Sequence, residues 1–106
     1  MITTSIIANY EVNPLFELNN SGTIRQISRI IQIDATSENI IVTLGTITNN
    51  TIKNYPMVLR RIDSSLNTVT IIGTAGNFPE DDPLDLPILS GVTVYASNDL
   101  NWRSID

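Results

Sequence analysis

The sequence contains no cysteine and no histidine among its 106 residues. Without cysteine the chain has no disulfide, no thiolate nucleophile and no cysteine ligand for a metal. Without histidine it lacks the commonest general base near neutral pH and the commonest zinc ligand. Catalysis of the Ser-His-Asp or Cys-His type is therefore excluded, and we predict a protein that is not an enzyme and that uses no cofactor.

Basic residues are also few, with six Lys and Arg against eleven Asp and Glu, for a net charge of −5. Binding to phosphate groups requires clusters of Lys and Arg on one face. We therefore expect no nucleic-acid partner, and no anionic membrane surface as a partner either.

Long apolar runs are missing as well. No stretch approaches the ~20 apolar residues of a membrane helix, and residues 1–7 carry neither the basic start nor the apolar run of a secretory leader. The sequence therefore predicts a soluble chain without a leader.

β-branched residues are abundant, and they fall in short runs separated by Asn, Gly, Ser, Pro and Asp. This pattern is typical of all-β proteins. We predict one domain over residues 1–106, an antiparallel β-sandwich of the jelly-roll-like kind, with no evident internal repeat. A domain of this size buries only about 60–65% of the surface of its unfolded chain, and exposed strand edges invite pairing. A homo-oligomer is therefore expected.

The segment 23–35 supports two interpretations. Ile24, Ile27 and Ile31 fall at helical spacing, whereas Ile31, Ile33 and Ala35 alternate as in a strand. The abundance of Ile favours a strand, because β-branching restricts χ1 in a helix and packs well on a sheet. A short helical turn at residues 24–28 stays open.

The other predicted strands are defined by their apolar alternation, and we expect three hairpins among them. In residues 57–62, Met57 and Leu59 point to one face while Val58, Arg60 and Ile62 point to the other. Polar residues 46–54 are predicted as a loop or an edge strand. The strands are residues 5–12, 23–35, 40–44, 57–62, 68–73, 84–89, 92–95 and 102–105, and the hairpin turns are residues 36–39, 63–67 and 96–101.

Two segments resemble hairpins of the small β-rich modules in bacteriophage tail fibres, tailspikes and head fibres. Residues 60–71 match R-R-I-D-x-S-x-N-T-V-T-I, and residues 92–102 are similar to V-T-V-Y-S-D-G-x-N-W. The matching residues are Arg60, Arg61, Ile62, Asp63, Ser64, Ser65, Asn67, Thr68, Val69, Thr70 and Ile71, then Val92, Thr93, Val94, Tyr95, Ser97, Asn101 and Trp102. The resemblance implies a homotrimeric, β-rich component of a virion.

Two functions are compatible with these observations. The first is a virion structural protein, a capsid-decorating or head-fibre or tail-fibre module that binds other virion proteins. The alternative is a receptor-binding module that recognises a host cell-surface glycan, with residues 73–77 and 96–100 as the contact loops.

The candidate site residues each have a structural interpretation beside the functional one. Oxygen-rich loops bind calcium, and paired carboxylates such as Asp81 and Asp85 serve in glycoside hydrolysis, but a solvated loop is favoured because charge runs are usually exposed. The acidic residues concerned are Glu80, Asp81, Asp82 and Asp85.

Aromatic rings stack on sugars, but they also dominate cores and interfaces. The four residues considered are Tyr10, Tyr55, Tyr95 and Trp102. For Trp102 we favour packing in a core or interface. Arg60 and Arg61 alternate faces, so one of them is expected to pair with Asp63 or with a neighbouring subunit while the other faces solvent.

Overall fold

The computed structural model describes residues 15–25, 29–74, 78 and 82–105. These residues form nine β-strands and no α-helix, so the all-β prediction is confirmed for them. The strands are β1 (Leu15–Leu18), β2 (Gly22–Ile24), β3 (Ile30–Ile33), β4 (Ile40–Leu44), β5 (Met57–Arg61), β6 (Val69–Gly73), β7 (Leu84–Asp85), β8 (Gly91–Ala96) and β9 (Trp102–Ile105). In this part of the chain no helix is long and apolar enough to cross a membrane.

The strands form two sheets, and the chain alternates between them from β1 to β6. One sheet has the order β1-β3-β5-β8-β9, which we name sheet A, and the other, sheet B, has the order β2-β4-β6-β7. The pairs β1–β3, β3–β5, β2–β4 and β4–β6 are all parallel. Parallel neighbours need a crossover connection, and here a strand of the opposite sheet supplies it. Successive coils of chain therefore stack as in a solenoid.

The later strands pair antiparallel. β7 pairs with β6, β8 with β5, and β9 with β8. The strand pairing is therefore mixed, and the prediction of antiparallel pairing throughout was wrong. The predicted hairpin of residues 92–95 with 102–105 is confirmed, with Ala96 opposite Trp102 and Thr93 opposite Ile105.

The two other predicted hairpins were wrong. β3 and β4 lie in different sheets, as do β5 and β6. Residues 34–39 and 62–68 therefore form arches that carry the chain from sheet A to sheet B. The alternation of apolar residues indicates which side chains face the core. Two strands show the same alternation whether an arch or a hairpin turn connects them. The sequence pattern therefore did not separate the two.

One buried cluster receives the inward side chains of both sheets. Met57 and Leu59 are buried while Arg60 and Ile62 are exposed, as the alternation predicted. The cluster consists of Leu18, Ile24, Ile31, Ile33, Ala35, Ile40, Val42, Leu44, Ile47, Met57, Leu59, Val69, Ile71, Phe78, Leu86, Val92, Val94, Ala96 and Trp102.

The strand registers show a repeat that the sequence analysis did not find. Ile30 faces Val58 across β3 and β5, and Ile40 faces Val69 across β4 and β6. The arch between β5 and β6 is thus one residue longer than the arch between β3 and β4. Continuing the register of Ile33 with Arg61, Asp63 lies level with the buried Ala35, whereas Asp34 lies level with the exposed Ile62, so Asp63 is buried and Asp34 only half-buried.

Some predicted elements changed extent or lie elsewhere. β1 was not predicted, and the predicted strand of residues 5–12 lies outside the described residues, as do three residues of the helical turn considered at 24–28. Residues 46–54 form a loop without strands, which is the first of the two predicted alternatives. The predicted strand of residues 84–89 is limited to β7, and a turn follows it.

Candidate functional site

A buried ion pair between Arg61 and Asp63 lies where β5 enters the second arch. The two residues are only 3% and 7% exposed. Arg61 Nε donates to Asp63 Oδ1 at 3.0 Å and Arg61 Nη2 to Oδ2 at 3.1 Å, a bidentate arrangement. The prediction that one of the two arginines pairs with Asp63 is therefore confirmed, and Arg60 is the exposed one.

The rest of the guanidinium group satisfies backbone carbonyls. Nη1 donates to the Leu86 carbonyl at 3.0 Å, and Nη2 donates to those of Ser65 and Asn67 at 3.3 and 2.5 Å. Arg61 therefore joins the chain beyond β7 to the arch. Burying a charge is costly unless it is paired and hydrogen-bonded, and these contacts meet that condition.

The Asp63 carboxylate reaches the neighbouring coil. Oδ1 accepts from the Ala35 N–H at 2.9 Å, while Oδ2 accepts from the Ser65 N–H at 3.1 Å and the Ser65 hydroxyl at 2.6 Å. Asn67 Nδ2 donates to the carbonyls of Ala35 and Thr36 at 2.7 and 3.2 Å. The two arches are thus joined by side chains as well as by the sheets. We call Arg61, Asp63, Ser65 and Asn67 the arch network.

The arch network explains the R-x-D-x-S-x-N pattern in the sequence. Its four polar residues occupy alternate positions between two apolar strands, and that spacing was the signal for it. Sequence analysis predicted the pairing of an arginine with Asp63 but missed the roles of Ser65 and Asn67. The network is filled by its own side chains and backbone, and it serves to hold the arches.

The pKa of Asp63 lies well below its ordinary value. The Arg61 guanidinium is the main cause, and the hydrogen bonds from Ser65 and Ala35 act in the same direction, while burial opposes them. The carboxylate is therefore ionised throughout the physiological pH range. It keeps its charge for Arg61 and has no proton to give as a general acid.

A groove of about 700 Å³ lies at the opposite end of the parallel strands, beyond the ends of β2, β4 and β6. Four separate segments of the chain contribute to it. Its described lining residues are Thr23, Arg25, Gly45, Thr46, Thr48, Asn50, Thr51, Ile52, Thr74 and Trp102. We call it the threonine groove.

Gly45 and Trp102 form the floor of the threonine groove. Trp102 is 2% exposed, and its Nε1–H donates to the Gly45 carbonyl at 2.7 Å. A Cβ at Gly45 would lie 3.0 Å from the Ile24 carbonyl oxygen and 3.2 Å from Arg25 Cγ. The absence of a side chain at Gly45 thus lets the Arg25 stem lie against the floor. Trp102 is a core residue, as favoured from the sequence, and it offers no open ring face.

Most residues in the walls of the threonine groove are polar, and Ile52, which is 61% exposed, is the apolar exception among the described ones. Thr23, Thr46, Thr48 and Asn50 are exposed, and Thr74 is half-buried with its hydroxyl donating to the Leu44 carbonyl at 2.8 Å. These side chains offer hydroxyl groups and an amide to the groove.

Internal hydrogen bonds order the loop that carries part of this wall. The Thr48 N–H donates to Thr51 Oγ1 at 2.8 Å, and the Asn50 N–H donates to Thr48 Oγ1 at 3.2 Å. Lys53 Nζ donates to the carbonyls of Thr48 and Thr51 at 3.3 and 3.1 Å. The polar wall is therefore preformed.

The other predicted aromatic residues do not join Trp102. Tyr55 is 39% exposed and has the Arg29 guanidinium 5.6 Å from its ring centroid. Tyr95 is half-buried opposite Arg103 in β9, on the face of sheet A away from Trp102. Tyr10 lies outside the described residues. No described face brings these rings together for stacking on a sugar.

The acidic candidates are only partly described. Asp82 and Asp85 are exposed, and Asp85 Oδ1 accepts from the Thr70 hydroxyl at 3.4 Å. Glu80 and Asp81 lie outside the described residues. Among the residues that the structure describes, no group of three or more acidic side chains converges as it would around a metal ion.

Comparison of the chain with known proteins adds no relative to this picture. No family model, no curated protein and no solved structure matches it.

Proposed function

We propose that the chain is a non-enzymatic structural module of a bacteriophage virion, acting as a homotrimer that binds other virion proteins in a capsid decoration, a head fibre or a tail fibre. The arch network is the observation that carries the proposal. Residues 60–71 resemble phage fibre modules, and in this chain the polar residues of that segment hold the stacked arches together. The similarity is therefore one of framework residues, as expected for a shared structural role.

The outer face of sheet A supports self-association. Ile30, Val58, Thr93 and Ile105 lie in one row across four neighbouring strands. Ile30 and Ile105 remain 41% and 53% exposed. An apolar row on the outer side of a sheet is typical of a surface covered by another protein. In this proposal each subunit is a sandwich of sheets A and B whose parallel strand pairs set it apart from the jelly roll expected from the sequence, and the row packs against neighbouring copies.

The trimer is tested by light scattering coupled to size-exclusion chromatography. We expect a mass three times that of the 11.7 kDa chain. Replacing Ile30 and Ile105 together by Lys should give a monomer, because charges would be buried at the contact. Ile41→Lys, on the outer face of sheet B at a residue 50% exposed, should leave the trimer intact. A wild-type monomer at micromolar concentrations would contradict the proposal.

The virion role is tested by co-sedimentation. Purified protein should pellet with emptied capsids or virions of the phage that encodes it, and it should not bind the envelopes of host cells. Binding to the envelopes alone would favour the second candidate function.

That second candidate is a receptor-binding module for a host-surface glycan. The threonine groove favours it, because small-molecule sites are concave and carry a few placed polar groups. Fluorescently labelled protein should then stain host cells. Substitutions at Thr74 and within residues 96–100, near the loops expected to make contact, should reduce staining without changing the oligomer.

A further inference from the structure

We infer that the threonine groove binds an acidic saccharide, with Arg25 as the partner of the sugar carboxylate. The inference rests on the second candidate function, glycan recognition, and it adds the site and the chemical class of the ligand. Neither follows from the resemblance to phage modules, since the groove lining lies almost entirely outside the two segments that carry the resemblance.

The dimensions and the position of the groove suit a sugar. Its volume of about 700 Å³ falls within the roughly 300–1,000 Å³ of small-molecule sites. It opens at the end of the parallel strands rather than between the sheets, so a ligand enters without separating the core.

The polar groups of the groove match those of a saccharide. A sugar hydroxyl both donates and accepts hydrogen bonds, and so does a threonine hydroxyl, while an asparagine amide offers both functions on one side chain. The side chains of Thr23, Thr46 and Asn50 are exposed at the groove, and no hydrogen bond joins them to another described residue. They are therefore available to a ligand.

The charge of the groove selects the class of sugar. Arg25 is the single charged residue among the described lining residues, in a chain whose net charge is −5. No ion pair joins Arg25 to another residue that the structure describes. A guanidinium group binds a carboxylate with two parallel hydrogen bonds. The stem of this exposed side chain lies beside Gly45 at the floor of the groove.

The affinity should be modest. Trp102 is the one aromatic residue among the described lining residues and is only 2% exposed, so binding there depends on polar contacts that replace water. We expect a dissociation constant on the order of 0.1–1 mM for a short acidic oligosaccharide.

The test is a titration of isotope-labelled protein followed by amide chemical shifts. The probes are glucuronate and trigalacturonate, with glucose and galactose as neutral counterparts and inorganic phosphate as a plain anion. We expect saturable shifts at Gly45, Thr46 and Asn50 with the acidic sugars, and at least tenfold weaker binding of the neutral sugars and of phosphate.

Variants locate the carboxylate contact. Arg25→Gln should weaken binding of trigalacturonate by about tenfold. Arg25→Lys should weaken it less, because lysine keeps the positive charge but cannot donate two parallel hydrogen bonds to the carboxylate. Arg60→Gln is the matched control, because Arg60 is also exposed but lies on the outer face of sheet A. It should bind like the wild type.

Each of the other possible results refutes a different part of the inference. Equal binding of neutral and acidic sugars, unaffected by Arg25→Gln, would refute the acidic class while leaving glycan recognition intact. Equal binding of phosphate would reduce the groove to an anion site and refute the saccharide. If no sugar shifts the groove amides although labelled protein stains host cells, the groove is the wrong site. If staining also fails, glycan recognition falls with it.

Discussion

The carboxylate of Asp63 accepts a hydrogen bond from the backbone N–H of Ala35 at 2.9 Å, across the contact between two successive coils. The same carboxylate is fixed by Arg61, whose Nη1 also donates to the Leu86 carbonyl and whose Nη2 also donates to the Asn67 carbonyl of the arch. The ion pair of Asp63 and Arg61 thus couples the first arch, the second arch and the chain that leads to β8. The stability of the whole stack should depend on this group.

Replacement of Asp63 by Ala should be strongly destabilising. It leaves Arg61 buried without its counter-charge, and breaking a buried pair from one side costs about 3–5 kcal/mol. Urea unfolding measures the loss. Asp34→Ala is the matched control, since among the described residues the Asp34 carboxylate bonds only with Thr36, at the partly exposed first arch, and it should cost about 1 kcal/mol or less. An equal loss of unfolding free energy in the two variants would show that the ion pair with Arg61 adds no stability of its own.

The stability of the protein should fall in acid. The pKa of Asp63 is lowered in the folded state, so the folded protein binds fewer protons than the unfolded chain and stability rises with pH. This contribution is complete above the unfolded pKa near 3.8 and is lost progressively as the pH falls toward the lower folded value. Urea unfolding from pH 2 to pH 7 measures it.

The pH slope has its own control. In Asp63→Asn the slope below about pH 4 should become shallower, whereas Asp99→Asn should change it little. The pKa of Asp99 is lowered to about 2 by Arg103, but both partners are accessible to solvent, where ion pairs contribute little. An unchanged slope in Asp63→Asn would contradict this assignment.

Gly45→Ala should be destabilising by about 1–3 kcal/mol, as for overpacked sites. The added Cβ would lie 3.0 Å from the Ile24 carbonyl oxygen, a backbone atom, and the carbonyl of Gly45 also accepts the indole N–H of Trp102. Thermal unfolding and tryptophan fluorescence measure the two effects. Gly22→Ala is the control, because its Cβ would meet only Leu18 Cδ1, at 3.8 Å. It should be nearly neutral, and a similar loss at both glycines would refute the steric argument.

Leu100→Gly should be stabilising. Leu100 has a φ of 65° and is 56% exposed, so its side chain contributes little packing while its backbone adopts the left-handed region. That region costs about 1–2 kcal/mol for a residue with a Cβ, and the added freedom of glycine in the unfolded chain returns about 0.5–1 kcal/mol of this. A net gain of up to about 1 kcal/mol is expected by urea unfolding. Leu66→Gly, at a fully exposed leucine without positive φ, should give no gain.

The sequence predicted the faces of the strands better than their partners. The alternation in residues 57–62 placed Met57 and Leu59 inside and Arg60 outside, as observed, because burial follows directly from the two-residue period. The last hairpin followed from a short turn between two apolar runs. The arches did not follow, since a polar bend between apolar strands looks the same whether the chain returns in its own sheet or crosses to the other.

The threonine groove could not be predicted from the sequence, for a different reason. Its lining comes from β2, the loop after β4, the end of β6 and β9. Only the parallel stacking of β2, β4 and β6 brings Thr23, Gly45 and Thr74 to one end of sheet B. No local pattern marks Arg25 as a neighbour of Trp102, so a groove assembled from distant segments requires the topology first.

Because Ile30 lies opposite Val58 in neighbouring parallel strands, the segment between them is one coil of the stack, and the number of such coils sets the length of the molecule. A second copy of residues 30–57 inserted after residue 57 would add one strand to each parallel stack, a growth of about 4.8 Å along the stacking direction. The apolar rows would continue through the insert with isoleucine lying on isoleucine. In-frame duplication within the gene could therefore lengthen such a protein by one coil at a time, while the β8–β9 hairpin stays at the end of sheet A.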